Sequence, residues 1–119
     1  MKTLTKAEEE VMQHLWDLKK GFVKDILACY KSPKPAYNTI STIIRILEKK
    51  GFVSYIAYGK THEYYPLISK KDYSSQSADS LLKNYFEGSM SNMISFFVKE
   101  KKLNTKELDE ILKNLNPKK

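Results

Sequence analysis

The run YNTISTIIRILEKK, residues 37–50, concentrates side chains that can read another polymer. Asn38, Thr42, Arg45 and Lys49 recur on one side of a helical spacing, opposite Ile40, Ile43, Ile44 and Leu47, with Thr39 and Ser41 close by. An arginine can make two parallel hydrogen bonds to guanine O6 and N7, and an asparagine can do the same to adenine N6 and N7. Arg45 and Asn38 therefore suit base edges. Thr39, Ser41 and Thr42 can bond phosphates or base edges, and their carbons can meet thymine methyls. Lys49 would add attraction to phosphate that salt weakens. A polar face opposite an apolar stripe is also what an ordinary surface helix shows, so the neighbouring elements must decide between the two.

Those elements follow from period and punctuation. Thr5-Lys6-Ala7-Glu8 matches the S/T-x-x-E capping box and opens a first helix over about 6–18, with Ala7, Val11, Leu15 and Leu18 facing inward. Lys19-Lys20-Gly21 ends it, the glycine as a left-handed cap. Val23, Ile26, Leu27 and Tyr30 predict a second helix over about 23–31, which Ser32-Pro33-Lys34-Pro35 must break. The third helix spans about 37–50 and stops at Gly51. Beyond it the period changes. Phe52–Tyr58 and Thr61–Tyr65 are β-branched and aromatic around Gly59-Lys60, which predicts a hairpin closed by Pro66.

The remainder returns to helix. Ser69 caps a polar helix reaching about Glu87, then Met90, Met93, Ile94, Phe97 and Val98 form one stripe. Asn104–Glu107 is a second capping box, leading into Leu108, Ile111, Leu112 and Leu115. So few residues build no core of their own, so these stripes either fold back on the first part or pair with a second copy. The fold class is mainly α with a small antiparallel β-hairpin. Three helices followed by a hairpin is the order of a winged helix-turn-helix, here residues 1–70, with a helical C-terminal domain over 71–119. In that arrangement helix three enters the major groove and the wing (about 52–66) reaches the flanking backbone. Lys60 at the wing turn, with Lys24 and Lys34, would add sequence-independent affinity.

Charge agrees with this order. The chain carries a net +7, and residues 1–72 hold 13 Lys/Arg against 8 Asp/Glu, so most of the excess lies with the three helices and the hairpin. Basic domains of this size often meet polyanions. Enzyme chemistry finds little material. His14, His62 and the single Cys29 form no zinc spacing, and there is no nucleophile motif or glycine-rich phosphate loop. The expectation is no enzyme, no metal and no cofactor. Cys29 reads as a packed small hydrophobe in a reducing compartment. MKTLTKAEEE has no apolar signal region, and no run approaches the ~18 apolar residues of a membrane span, so a cytoplasmic location without membrane insertion is expected. Two rivals remain. One is a winged-helix regulator whose DNA affinity is set by a directly bound small ligand. The other is a winged helix used only for protein interaction, against which the exposed Asn38, Thr42 and Arg45 speak.

AEEEVMQHLW, YNTISTIIRILEKKGFV and THEYYPLISKKDY together resemble the penicillinase-repressor family of bacterial regulators (the BlaI/MecI type), and the likeness runs from about Leu4 to Leu115. The resemblance implies a dimeric transcriptional repressor on palindromic operator DNA, with a winged-helix N-terminal domain and a helical dimerisation domain. It assigns Met90, Ile94, Phe97, Leu108, Ile111, Leu112 and Leu115 to the seam with a second subunit. It also implies release from DNA when a membrane-bound sensor metalloprotease, responding to a β-lactam, cuts the dimerisation helix. The family's usual Asn-Phe bond corresponds here to Phe96-Phe97, without the asparagine. The copper-sensing branch ends in a cysteine cluster, whereas this sequence ends NLNPKK, so direct metal sensing is not implied.

Overall fold

Helix α1 (Lys6–Leu18) begins where its cap dictates. The Glu8 N–H donates to Thr5 Oγ1 at 3.2 Å, and the Thr5 N–H donates to Glu8 Oε1 at 2.9 Å, so both halves of the box close. The computed structural model describes residues 3–115, the side chain of Leu115 excepted. After α1 come α2 (Val23–Ala28), α3 (Tyr37–Lys49), β1 (Val53–Tyr58), β2 (Thr61–Pro66), α4 (Lys70–Phe86), α5 (Met90–Lys99) and α6 (Thr105–Leu115). This is the mainly helical chain with one antiparallel hairpin that the sequence predicts: a winged helix followed by a helical C-terminal region. It divides after Tyr73 into two compact units.

In the first unit α1, α2, α3 and the base of the hairpin enclose one core. Val11, Met12, Leu15, Ile26, Ile44 and Leu47 are fully buried there. Ala7, expected inward, is exposed, and Glu8 is buried instead. The Val11-Met12-Leu15 stripe fixes the inner face of α1, and one turn back that face falls on Glu8. The carboxylate is admitted because Lys50 Nζ donates to Glu8 Oε1 at 2.7 Å, tying the end of α3 to the start of α1. Burial alone would raise the Glu8 pKa, but the Lys50 ammonium, the Thr5 N–H and the Thr5 hydroxyl together hold it below the ordinary value.

Three local expectations need correction. Gly21 is not the cap of α1; that residue is Lys19, at φ 73° and ψ −34°, whose N–H donates to the Leu15 carbonyl. Gly21 is needed for close approach instead. Its N–H donates to the Tyr64 carbonyl at 2.9 Å and its carbonyl accepts from the Tyr64 N–H at 2.8 Å, forming a rung on the free edge of β2. A Cβ at this site would lie 3.3 Å from both Leu18 Cδ1 and Asp25 Cβ. Second, α2 ends at Ala28, about one turn short of the expected 31. Lys34 Nζ caps that end by donating to the Leu27 and Ala28 carbonyls at 3.3 and 3.2 Å. Third, because α2 stops there, Cys29 is exposed rather than packed.

The hairpin pairs Val53 with Pro66 through Tyr58 with Thr61, so Tyr55, Tyr64 and His62 share one face. Gly59 sits at the first turn position with φ 64°, a value that costs glycine little. In the second unit, Ser89 caps α5, and Asn104 with Glu107 closes a capping box at 2.7 and 3.1 Å before α6. None of its described side chains is fully buried.

Candidate nucleic-acid interface

Helix α3 owes its orientation to Ile40, Ile44 and Leu47, all buried in the first unit's core. With that face inward, Asn38, Thr39, Thr42, Arg45 and Lys49 are exposed and Ser41 is half-buried. Ile46 is also exposed on α3. The N-cap of α3 is Ala36, which has no side-chain acceptor to offer the first N–H groups.

The core also fixes where the wing stands. Phe52, Val53 and Tyr64 are buried at the base of the hairpin, which holds the turn at Gly59-Lys60 near the start of α3. Between them lies an open cleft of about 660 Å³ whose walls include Lys24, Asn38, Ser41, Arg45, Lys60 and His62. Four of the expected reading residues, Asn38, Ser41, Arg45 and Lys60, thus meet around one space. Thr39, Thr42 and Lys49 are exposed on α3 but do not line it.

Electrostatics favour a polyanion. Among the described residues, no carboxylate lies within ion-pair distance of Lys24, Arg45 or Lys60. Arg45 instead donates from Nη2 to Ser41 Oγ at 2.8 Å. Tyr64 lies close by, 5% exposed. Burial and the Glu48 carboxylate push its phenol up, partly opposed by the Arg45 guanidinium, so it remains a neutral donor. His62 stacks flat on Tyr55 with ring centroids 3.9 Å apart and planes 5° apart, which fixes the imidazole at the cleft wall. The sequence located His62 near the wing but could not show this stacking. Lys34, expected to bind phosphate, is engaged on the α2 carbonyls.

A second cleft of about 560 Å³, lined by Glu10, His14, Cys29, Tyr30, Lys31 and Lys34 among others, lies beside α2. Burial, with the Glu10 and Cys29 charges behind it, pushes the Tyr30 phenol up to about 12. Among the described residues, no three His, Cys, Asp or Glu gather as metal ligands, and no helix is long and apolar enough to cross a membrane.

The residues expected at a subunit seam lie on α5 and α6. Met90, Ile111 and Leu112 are 52, 42 and 51% exposed, and Ile94, Phe97 and Leu108 are half-buried. The side chain of Leu115 is outside the described set. Phe96 is exposed and touches Phe86 and Phe97 at ring distances of 5.5 and 5.8 Å.

Comparison with known proteins agrees in extent. A methicillin resistance regulatory protein, MecI, of Staphylococcus aureus (strain N315) is 28% identical over 116 residues, covering 97% of this chain and 94% of its own length. A penicillinase repressor of Bacillus licheniformis is 26% identical over 109 residues, covering 91% of this chain and 85% of its own. A penicillinase repressor of Staphylococcus aureus is 27% identical over 114 residues, covering 95 and 90%. The family model described as penicillinase repressor matches residues 4–117, so the chain belongs to the penicillinase repressor family, whose members are regulators and not enzymes.

Proposed function

We propose that the chain is a transcriptional repressor that binds palindromic double-stranded operator DNA as a homodimer in the cytoplasm. The observation that carries this is the cleft where Asn38, Ser41, Arg45 and Lys60 converge, with Lys24, Arg45 and Lys60 free of carboxylate partners among the described residues. On this reading α3 lies in the major groove, where Asn38 and Arg45 read base edges and Thr39 and Thr42 meet bases or phosphates. Lys49 and Lys60 bind phosphate. Residues 1–70 are the reader and 71–119 the pairing domain. Met90, Ile94, Phe97, Leu108, Ile111, Leu112 and Leu115 form the twofold seam, which sets two copies of α3 against two half-sites. The exposed apolar side chains on α5 and α6 support the seam.

The relatives' names associate them with penicillinase and with methicillin resistance, and we extend regulation of antibiotic resistance to this chain as part of the proposal. Release from DNA then follows cleavage at Phe96-Phe97 by a membrane-bound sensor metalloprotease. Exposure of Phe96 on α5 supports that site. Intact mass after incubation with a membrane-bound sensor metalloprotease of this class should show two fragments split at that bond, and an uncut chain would remove this route.

A mobility-shift titration against salt tests the function as a whole. Six to ten phosphate contacts predict an affinity loss of about 10³–10⁵ between about 50 and 200 mM salt. A chain that shifts no duplex at any salt would instead be an interaction module.

A further inference from the structure

The Arg45–Ser41 hydrogen bond changes what Ser41 is for. Residues four apart on a helix face each other, and here the serine oxygen accepts from the guanidinium at 2.8 Å. We infer that Ser41 is a positioning residue that holds Arg45 ready to read one guanine in each half-site. This inference rests on the DNA-binding function proposed above and names the base it depends on.

The geometry of the guanidinium makes the serine compatible with that task. Its two forks of parallel donors are Nε–H with one Nη2 hydrogen, and the other Nη2 hydrogen with Nη1. Ser41 accepts one Nη2 hydrogen, so one complete fork remains whichever hydrogen it takes. A complete fork is what guanine O6 and N7 require. No carboxylate among the described residues competes for it, and both side chains line the same cleft as Lys60. An exposed arginine has many rotamers, and ordering it on binding is costly. The serine removes part of that cost before DNA arrives.

The test uses the full chain and duplexes that it selects from a random pool. Each guanine in the selected duplex is replaced in turn by 7-deazaguanine, which lacks the N7 acceptor. Wild-type protein should show one guanine per half-site whose replacement weakens binding. Ser41→Ala, which suits a helix and should fold, should shrink that penalty about three- to tenfold and weaken binding to the selected duplex more than to a random one. Ser41→Thr, which keeps the hydroxyl, should restore it. In an Arg45→Ala background, Ser41→Ala should have no further effect. Equal losses on selected and random duplexes, additive losses with Arg45→Ala, or an undiminished 7-deazaguanine penalty would overturn the inference and leave the DNA-binding function standing. Failure of wild-type protein to shift any duplex would remove both together.

Discussion

The two units of this chain use the same local devices and reach different ends. The first, through Tyr73, opens with a Thr5/Glu8 capping box, and its apolar stripes converge on a core that, among the described residues, runs from Leu4 to Tyr64. The second has its own capping box at Asn104/Glu107 and its own stripes on α5 and α6, yet none of its described side chains is fully buried. Helical pattern and caps therefore fix where helices begin, but burial decides what they contribute. The first unit has the ingredients of an independent fold. The second leaves apolar side chains exposed on α5 and α6, which is the surface the proposed seam would cover.

Truncating matched residues breaks this comparison most sharply. Leu15→Ala removes a fully buried side chain from the first core and should destabilise that unit by about 2–5 kcal/mol in denaturant unfolding. Leu112→Ala, at a position 51% exposed within the chain, should cost nothing comparable in a dilute monomer. Its cost should grow with protein concentration if the proposed seam forms. Equal costs for both, independent of concentration, would mean that the second unit has a core of its own.

A charge probes the seam more directly. Ile111→Asp adds an unpaired carboxylate where the proposed dimer would bury it, and should weaken self-association by about 2–4 kcal/mol in sedimentation equilibrium. The isolated chain should keep its helix content, because Ile111 is exposed there. An unchanged dimer would move the seam elsewhere, while loss of helix would assign Ile111 to internal packing.

Much of this was legible from sequence, for identifiable reasons. The limits of α1, the span of α3 and the hairpin turn follow from caps, a 3.6-residue stripe and the change of period after Gly51, all of which act within a few residues. The inward faces of Ile40, Ile44 and Leu47 follow in the same way. What escaped was set by contacts between distant residues. Lys50 reaches Glu8 across 42 positions, and without it a buried carboxylate on α1 has no rationale. Gly21 reads locally as a helix cap, but Tyr64 recruits it as a strand edge. The end of α2 depends on Lys34 reaching back from the following loop. In the candidate interface the residue types were visible, whereas the hydroxyl committed to Arg45 and the imidazole stacked on Tyr55 required coordinates.

The Glu8–Lys50 contact gives the first unit a pH response. Glu8 titrates below its ordinary value of 4.5 in the folded chain, so its contribution to stability is complete above that value and is lost as pH falls through the lower folded value. Thermal unfolding between about pH 3 and pH 6 should therefore fall more steeply for wild type than for Glu8→Gln, which cannot ionise. Parallel curves would mean that the carboxylate is not held by Lys50 in solution.

The smallest effect separates the two capping boxes themselves. Thr5→Ala removes the acceptor for the Glu8 N–H and should cost about 1 kcal/mol, felt by the whole first unit because Glu8 is also the partner of Lys50. Asn104→Ala removes the equivalent acceptor for the Glu107 N–H, at 2.7 Å, from an exposed site. Its cost should be about 0.5 kcal/mol, confined to α6, and seen as faster amide exchange there with no change in the unfolding midpoint of the first unit. The same four-residue motif then has two magnitudes, set by whether its glutamate is linked to a core. If Asn104→Ala instead lowered the first unit's midpoint, the two units would be one cooperative body, and the contrast between them would dissolve.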